Sequence, residues 1–147
     1  KDDSNDKELS KYFSDLTGGD CKENGELEIL GRKITTFKKA QGSVWFQFKE
    51  LCEGPRSAKD YIEICTEFHT VFISQIPIFT INNEDSARRF IALIDECYER
   101  KVNLILSLEA TIEDLYQGKK LIEPYKRTLS RLEEMRSREY LSKPHLG

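Results

Sequence analysis

Two short apolar runs, residues 71–76 and 102–106, each come directly after a helical stretch, and this rhythm constrains the chain more than anything else in it. A run carrying Val71, Phe72, Ile73 and Ile76 suits a strand buried on both faces, as the central strands of parallel sheets are. Residues 102–106 repeat the pattern with Val102, Leu104, Ile105 and Leu106. Between the runs, Ala87, Phe90, Ile91, Ile94, Cys97 and Tyr98 recur along one stripe at helical spacing, with Asn83 placed to cap a helix reaching about Lys101. Ahead of the first run, Gly54-Pro55 breaks the chain and Ser57 is positioned to cap a helix through Phe68. Strand, helix, strand and helix with short joints predict parallel strands linked by right-handed crossovers.

The flanks read differently. Residues 9–16 place apolar side chains at helical spacing, Gly18-Gly19 ends that helix, and the polar residues 20–25 read as a turn or loop. From Glu26 the pattern becomes alternation. Leu27, Ile29 and Ile34 flank a turn at Gly31-Arg32, and Val44, Phe46 and Phe48 alternate with Ser43, Trp45 and Gln47 as a half-buried strand. Residues 26–48 are thus expected to form two or three antiparallel strands. After the second run come a loop at 107–111, a short helix at 112–116 closed by Gly118, and a final helix with Pro124 in its first turn that reaches Leu141. The fold class predicted is α/β: parallel central strands with crossover helices, preceded by a small antiparallel β-hairpin or meander and ended by a long C-terminal helix. The predicted organisation is a helix and polar loop over residues 1–25 and an α/β domain over 26–147. No clean internal repeat is present.

A length of 147 residues allows one ordinary core, and no apolar run approaches the roughly 18 residues of a membrane-spanning helix. Polar, charged residues 1–8 hold no signal peptide, and the lack of an initiating Met suggests a piece of a longer protein. The four cysteines, Cys21, Cys52, Cys65 and Cys97, lack the paired spacing of metal sites and are expected to be buried reduced thiols, which points to a reducing compartment. Net charge is only −3, yet it alternates along the chain: −5 over residues 1–28, +5 over 29–59, −7 over 60–118 and +4 over 119–147. Such alternation suggests surfaces that meet partners or other parts of the same protein, and argues against a dedicated nucleic-acid binder. Arg32, Lys33, Lys38 and Lys39 do interleave with Trp45 and Phe46 as single-strand binding surfaces can, but alternating strand aromatics more often pack.

The segment from Cys52 to Lys59 follows a strand and opens a helix, the setting of a phosphate-binding loop. It has one glycine, a proline that removes a donor and no Gly-Lys-Thr/Ser, so an ordinary strand-to-helix turn with Arg56 exposed is the expected reading. The tip of the first run reads Ser74-Gln75 where a magnesium-binding ATPase carries acids. Ser107, at the tip of the second, is expected to cap a turn. His69 and His145 have no partner at ligand spacing, and Glu84-Asp85 and Asp95-Glu96 suit helix ends and solvated faces. No catalytic residue and no metal ligand is assigned. Two arginine groups stand out. Arg88 and Arg89 sit in the first turns of a helix, where positive charge opposes the macrodipole by about 0.3–1 kcal/mol each. Arg127 and Arg131 lie four apart on the last helix, with Arg138 near the same stripe. These arginines are candidates for nucleotide or partner contact, against the plainer reading of a salt-bridged face.

Three stretches carry a resemblance. They are Leu51-Cys-Glu-Gly-Pro-Arg-Ser-Ala-Lys-Asp-Tyr61 with Phe68-His-Thr-Val-Phe-Ile-Ser74; Ala87-Arg-Arg-Phe-Ile-Ala-Leu-Ile-Asp-Glu-Cys-Tyr-Glu-Arg-Lys-Val102; and Arg127-Thr-Leu-Ser-Arg-Leu-Glu-Glu-Met-Arg-Ser-Arg-Glu-Tyr-Leu141. Over residues 26–147, and more loosely 8–19, the chain resembles the C-terminal half of the ZapE-type cell-division ATPases, whose mitochondrial counterparts are the AFG-like ATPases. The resemblance implies a cytoplasmic P-loop ATPase of the AAA+ type that acts on the division ring formed by FtsZ. Its Walker A and Walker B motifs lie upstream of the matching stretches, so ATP and Mg are expected of the whole protein and no cofactor of these residues. The partners implied are the N-terminal ATPase half of the same protein and FtsZ, with a homo-oligomer as a further option. The four arginines fall inside the matching stretches, but no nucleotide-contacting residue carries over. A catalytically silent protein-interaction module is the alternative.

Overall fold

A computed structural model describes the backbone of residues 3–146 and the side chains of residues 7–136. The elements run α1 (Asp3–Thr17), β1 (Lys22–Ile29), β2 (Arg32–Ala40), β3 (Ser43–Gln47), α2 (Phe48–Cys52), α3 (Ala58–Glu67), β4 (Thr70–Ile76), α4 (Glu84–Glu99), β5 (Asn103–Leu108) and α5 (Ile122–Leu146). The five strands form one sheet in the order β1-β2-β3-β4-β5. β1, β2 and β3 form an antiparallel meander, and β3, β4 and β5 are parallel. The α/β class, the meander, the parallel strands and the long last helix all agree with the sequence pattern.

Each parallel crossover is a helix because two parallel strands cannot be joined by a tight turn. α2 and α3 link β3 to β4, and α4 links β4 to β5. One face of the sheet, with Val44, Phe46, Val71, Ile73 and Leu104, packs against Leu51, Tyr61, Ile64, Phe90, Ile94, Leu132 and their neighbours from α2 to α5. The other face, with Trp45 and Phe72, is covered by Leu9 and Phe13 of α1. Phe13 meets Phe72 edge-on at 4.9 Å, and Trp45 stacks on Phe72 at 5.8 Å. The arrangement is three-layered, with the sheet in the middle.

The chain departs from the sequence reading in five places, at four of which the cause is physical. β1 begins at Lys22, so residues 22–25 are strand rather than loop; their backbones pair with β2 at Lys22↔Lys39 and Gly25↔Thr36 despite polar side chains. β3 is buried on both faces apart from partly covered Gln47, because α1 roofs the Trp45 side. Phe48 does not end that strand; it opens the one-and-a-half-turn helix α2, where it remains in the core. Residues 112–116 form no helix. Thr111 and Asp114 close a turn, and Tyr116 instead bridges to Phe79. The final helix begins two residues before Pro124 and its backbone continues past Leu141 to Leu146.

The β2–β3 turn shows why glycine stands at position 42. Gly42 has φ +80°, and a Cβ there would run into the imidazole of His69. Its carbonyl accepts the N–H groups of His69 and Thr70 at 3.0 and 3.2 Å, joining the hairpin to the start of β4.

Candidate functional site

In open α/β sheets the crevice beyond the carboxyl ends of parallel strands is where ligands bind. Here that end is filled by the chain itself. Phe79 N–H donates to Leu115 O at 2.8 Å and Gln117 N–H to Phe79 O at 2.6 Å, so the β4–α4 and β5–α5 connections are zipped together. Glu109 N–H donates to Ile76 O at 2.9 Å, and the Glu109 carboxylate accepts Ile78 N–H at 2.8 Å. Asn83, at the N-cap of α4, turns its side chain back to accept Thr80 N–H at 2.6 Å rather than capping the helix.

Glu84 anchors the far side of this zipper. Its carboxylate accepts Tyr116 O–H at 2.5 Å, Lys119 N–H at 2.7 Å and Lys120 N–H at 3.0 Å. These donors, led by Tyr116, hold the carboxyl below its ordinary value. Gly118 permits the approach, since a Cβ there would come within 2.6 Å of both carboxylate oxygens. The pair Glu84-Asp85 therefore divides: Glu84 is an internal staple and Asp85 is exposed.

The segment that resembles a phosphate loop is likewise occupied from within. Ser57 N–H donates to Asp60 Oδ2 at 2.8 Å in a capping box, so the α3 N-terminus already holds a carboxylate. Arg32 reaches across from β2 and donates to both Asp60 oxygens at 2.5 Å. Asp60 is fully buried. Arg56 is not exposed as the sequence suggested; it is half-buried and donates through Nε to Glu50 O at 3.0 Å. An incoming phosphate would have to displace an acid that is itself buried and paired. At the tip of β4, Ser74 accepts the Trp45 indole N–H at 2.9 Å and Gln75 sits at φ +62° in a bulge, with no carboxylate there for magnesium. Among the described residues no three His, Cys, Asp or Glu side chains converge as metal ligands. Neither segment therefore offers the free backbone donors or the adjacent acids that ATP and magnesium would require of it.

The fold keeps Arg127 and Arg131 together and sets Arg88 and Arg89 apart from them and from each other. Arg131 donates to Asp95 Oδ1 at 2.5 Å and lies over the Tyr98 ring at 4.8 Å, and Arg127 is 3.9 Å from the same carboxylate. Tyr98 O–H donates to Glu134 at 2.8 Å, so this cluster forms the α4–α5 seam. Arg89 faces the other way and donates to Cys52 O at 3.2 Å, one of the carbonyls at the end of α2. Arg88 is exposed. Arg138 and His145 lie outside the residues whose side chains are described. His69 Nδ1 pairs with Thr70 Oγ1 at 2.8 Å. Trp45 and Phe46 are wholly buried and so cannot stack on bases. Lys38 lies over Trp45 and 3.8 Å from Glu23. Sequence reasoning did not find the Arg32–Asp60 or Arg131–Asp95 pairing, since both run across 28 or more residues with no local spacing to betray them.

The four cysteines are free. Cys52, Cys65 and Cys97 are buried, whereas Cys21 is half-exposed. Cys65 and Cys97 bring their Sγ atoms to 3.3 Å across α3 and α4, and this contact together with burial raises the Cys97 thiol well above its usual value. Burial also pushes Cys52 up to about 12. No described helix is long and apolar enough to cross a membrane.

The AFG1-like ATPase family profile matches residues 1–144. "Cell division protein ZapE" of Escherichia coli K12 is 41% identical over 140 residues, covering 95% of this chain and 37% of that protein. "Lactation elevated protein 1 homolog B" of Danio rerio is 37% identical over 89 residues, 60% of this chain and 18% of its own length. An uncharacterized protein of Schizosaccharomyces pombe is 38% identical over 91 residues, 62% of this chain and 20% of its own. No solved structure matches. The chain thus spans little more than a third of the length of the E. coli relative, and across nearly all of its own residues it belongs to the AFG1-like ATPase family.

Proposed function

We propose that these residues are the C-terminal α/β module of an ATP-hydrolysing AAA+ protein that works in bacterial cell division in the cytoplasm. The observation that carries this reading is the 41% identity to a cell division protein across 95% of the chain. Nucleotide chemistry, with its Walker A and Walker B groups and its magnesium, belongs to the N-terminal ATPase half of the same polypeptide. The module supports it by binding that half, and the protein acts on the FtsZ ring. Arg131 is held on Asp95 and Arg89 on the end of α2, so among the four candidates the exposed Arg88 and Arg127 are the ones able to reach a nucleotide or a neighbouring copy in a homo-oligomer.

The test is ATPase rate and thermal stability in the full-length protein carrying Arg88→Ala or Arg131→Ala. Arg88→Ala is expected to lower kcat or FtsZ binding with an unchanged Tm. Arg131→Ala is expected to lower Tm first. If Arg88→Ala leaves hydrolysis and partner binding intact, that role is dismissed for Arg88, and a full-length protein with no ATPase activity refutes the larger reading. The occupied α3 N-terminus and the closed strand tips favour one alternative, a catalytically silent interaction module. Cosedimentation of the 147-residue chain with FtsZ filaments in the absence of nucleotide would support that alternative.

A further inference from the structure

The two edges of the sheet are built in opposite ways. The outer edge, β1, carries Lys22, Glu23, Glu26 and Glu28 in exposed positions, and such charges are how proteins keep an edge strand from pairing with another chain. The other edge, β5, reads Asn-Leu-Ile-Leu-Ser-Leu and has no charge at all. It pairs with β4 along one side, from Thr70↔Asn103 to Ile76↔Leu108, and among the described residues no strand pairs with its other side. β5 is also less covered than its neighbour. Val71, Phe72, Ile73 and Ile76 of β4 are buried, whereas Ile105, Leu106 and Leu108 of β5 are only half-buried.

A groove runs along each face of this edge. On the α5 side a cleft of about 420 Å³ is lined by Leu104, Leu106, Ile112, Leu132 and Met135. On the α1 side one of about 330 Å³ is lined by Leu9, Tyr12, Ile105 and Ser107. A strand added beside β5 would point alternate side chains into the two grooves, onto the apolar groups named, with Glu113 and Arg136 also lining the α5 side and Glu8 the α1 side.

We infer that the free edge of β5 is the docking site for a β-strand from the remainder of the same polypeptide, which extends the five-stranded sheet to six. This deepens the reading above and rests on it, because it takes the parent protein to be longer than these residues. The E. coli relative has roughly three-fifths of its length outside the match, ample for a covering strand. A parallel sheet is ordinarily buried at such a position, and an uncharged parallel edge left open is an aggregation site. The alternative occupant is a second copy of the chain.

Hydrogen exchange on the full-length protein tests the assignment, followed by mass spectrometry on peptides spanning residues 103–108. Amides of β5 directed away from β4 are expected to exchange at least about 100-fold more slowly than an open edge allows, at every protein concentration. Ser107→Lys, a charge on the half-buried edge, is expected to release that protection while β4 stays protected. Fast exchange in the unmodified protein overturns the inference. Protection that vanishes on dilution to the monomer, checked by light scattering, overturns the choice of occupant in favour of a second copy. ATPase activity measured on the same sample separates the two claims: hydrolysis with an open β5 edge sinks the docking surface alone, and a protected edge without hydrolysis sinks the ATPase reading alone.

Discussion

Glu84 shows how one side chain can hold two loops. Its carboxylate gathers one phenol and two backbone N–H groups from the β5–α5 connection, and those donors lower its pKa below the ordinary 4.5. A carboxyl depressed in the folded state contributes stability above its unfolded pKa and loses it as pH falls through the folded value. Unfolding midpoints followed from pH 7 down to 3 should therefore drop below about 4.5 more steeply in the unmodified chain than in Glu84→Gln. Equal slopes would show that the staple does not titrate. Gly118→Ala should weaken the same loop through contact with the carboxylate, without touching the pH dependence of any other group. The cysteines give a second residue-scale expectation. Thiolate is the reactive form, and burial disfavours it. Iodoacetamide on the native chain should add one group, at Cys21, and the other three cysteines should react only after unfolding. Mass spectrometry reads this directly, and early labelling of Cys52 or Cys97 would contradict their burial. Neither the Glu84 staple nor the exposure of Cys21 was legible in the sequence. Glu84-Asp85 reads locally as two acids in a helix's first turn, and only the fold brings Tyr116 and Lys119 to one of them.

At the scale of elements, local signals fared well where a helix or strand is decided by its own residues. Ser57 before α3, the apolar stripe of α4 and the apolar runs of β4 and β5 all mark elements present in the fold. They failed where pairing overrode composition: residues 22–25 are polar yet strand, because β2 supplies the partner, and residues 112–116 are helix-like yet extended at Tyr116, because Phe79 does. The start of α3 depends on Asp60, which accepts Ser57 N–H and receives Arg32 from the hairpin. Asp60→Ala removes the cap on Ser57 N–H, a loss of about 1–2 kcal/mol, while the 42% exposed Arg32 returns to water. Arg32→Ala should cost more, since it leaves the wholly buried Asp60 carboxylate with Ser57 N–H and no counter-charge. Urea denaturation of the two variants gives the order, and a smaller loss in Arg32→Ala would mean that the cap, not the cross-strand ion pair, holds the helix. The arginines divide at this scale as well: Arg131 belongs to the seam between α4 and α5, and its charge is balanced by Asp95 before any ligand arrives.

For the whole molecule, the layer on which stability turns is the one the sequence revealed least. Residues 9–16 read as a helix, but nothing in them says which surface it covers, and the alternation around Trp45 suggested a strand with one face in water. The fold puts those two features together. α1 lays Leu9 and Phe13 on Trp45 and Phe72, so the sheet is covered on both faces and Trp45 has no exposed surface. Trp45 is the only tryptophan in the chain, which makes its emission a reporter of α1 docking. Phe13→Ala removes a fully buried ring from that layer, a change that commonly costs about 3–5 kcal/mol. Because the core between the sheet and α2–α5 is untouched, the expected result is a folded, less stable chain with Trp45 emission shifted to longer wavelength as water reaches the indole. Removing residues 1–17 should enlarge the red shift and expose an apolar sheet face able to bind a hydrophobic dye. If truncation left both emission and melting temperature unchanged, α1 would be an appendage and the sheet would be stable with one apolar face bare, which the transfer free energy of the two aromatic side chains Trp45 and Phe72 makes untenable at about 1.5–3 kcal/mol each.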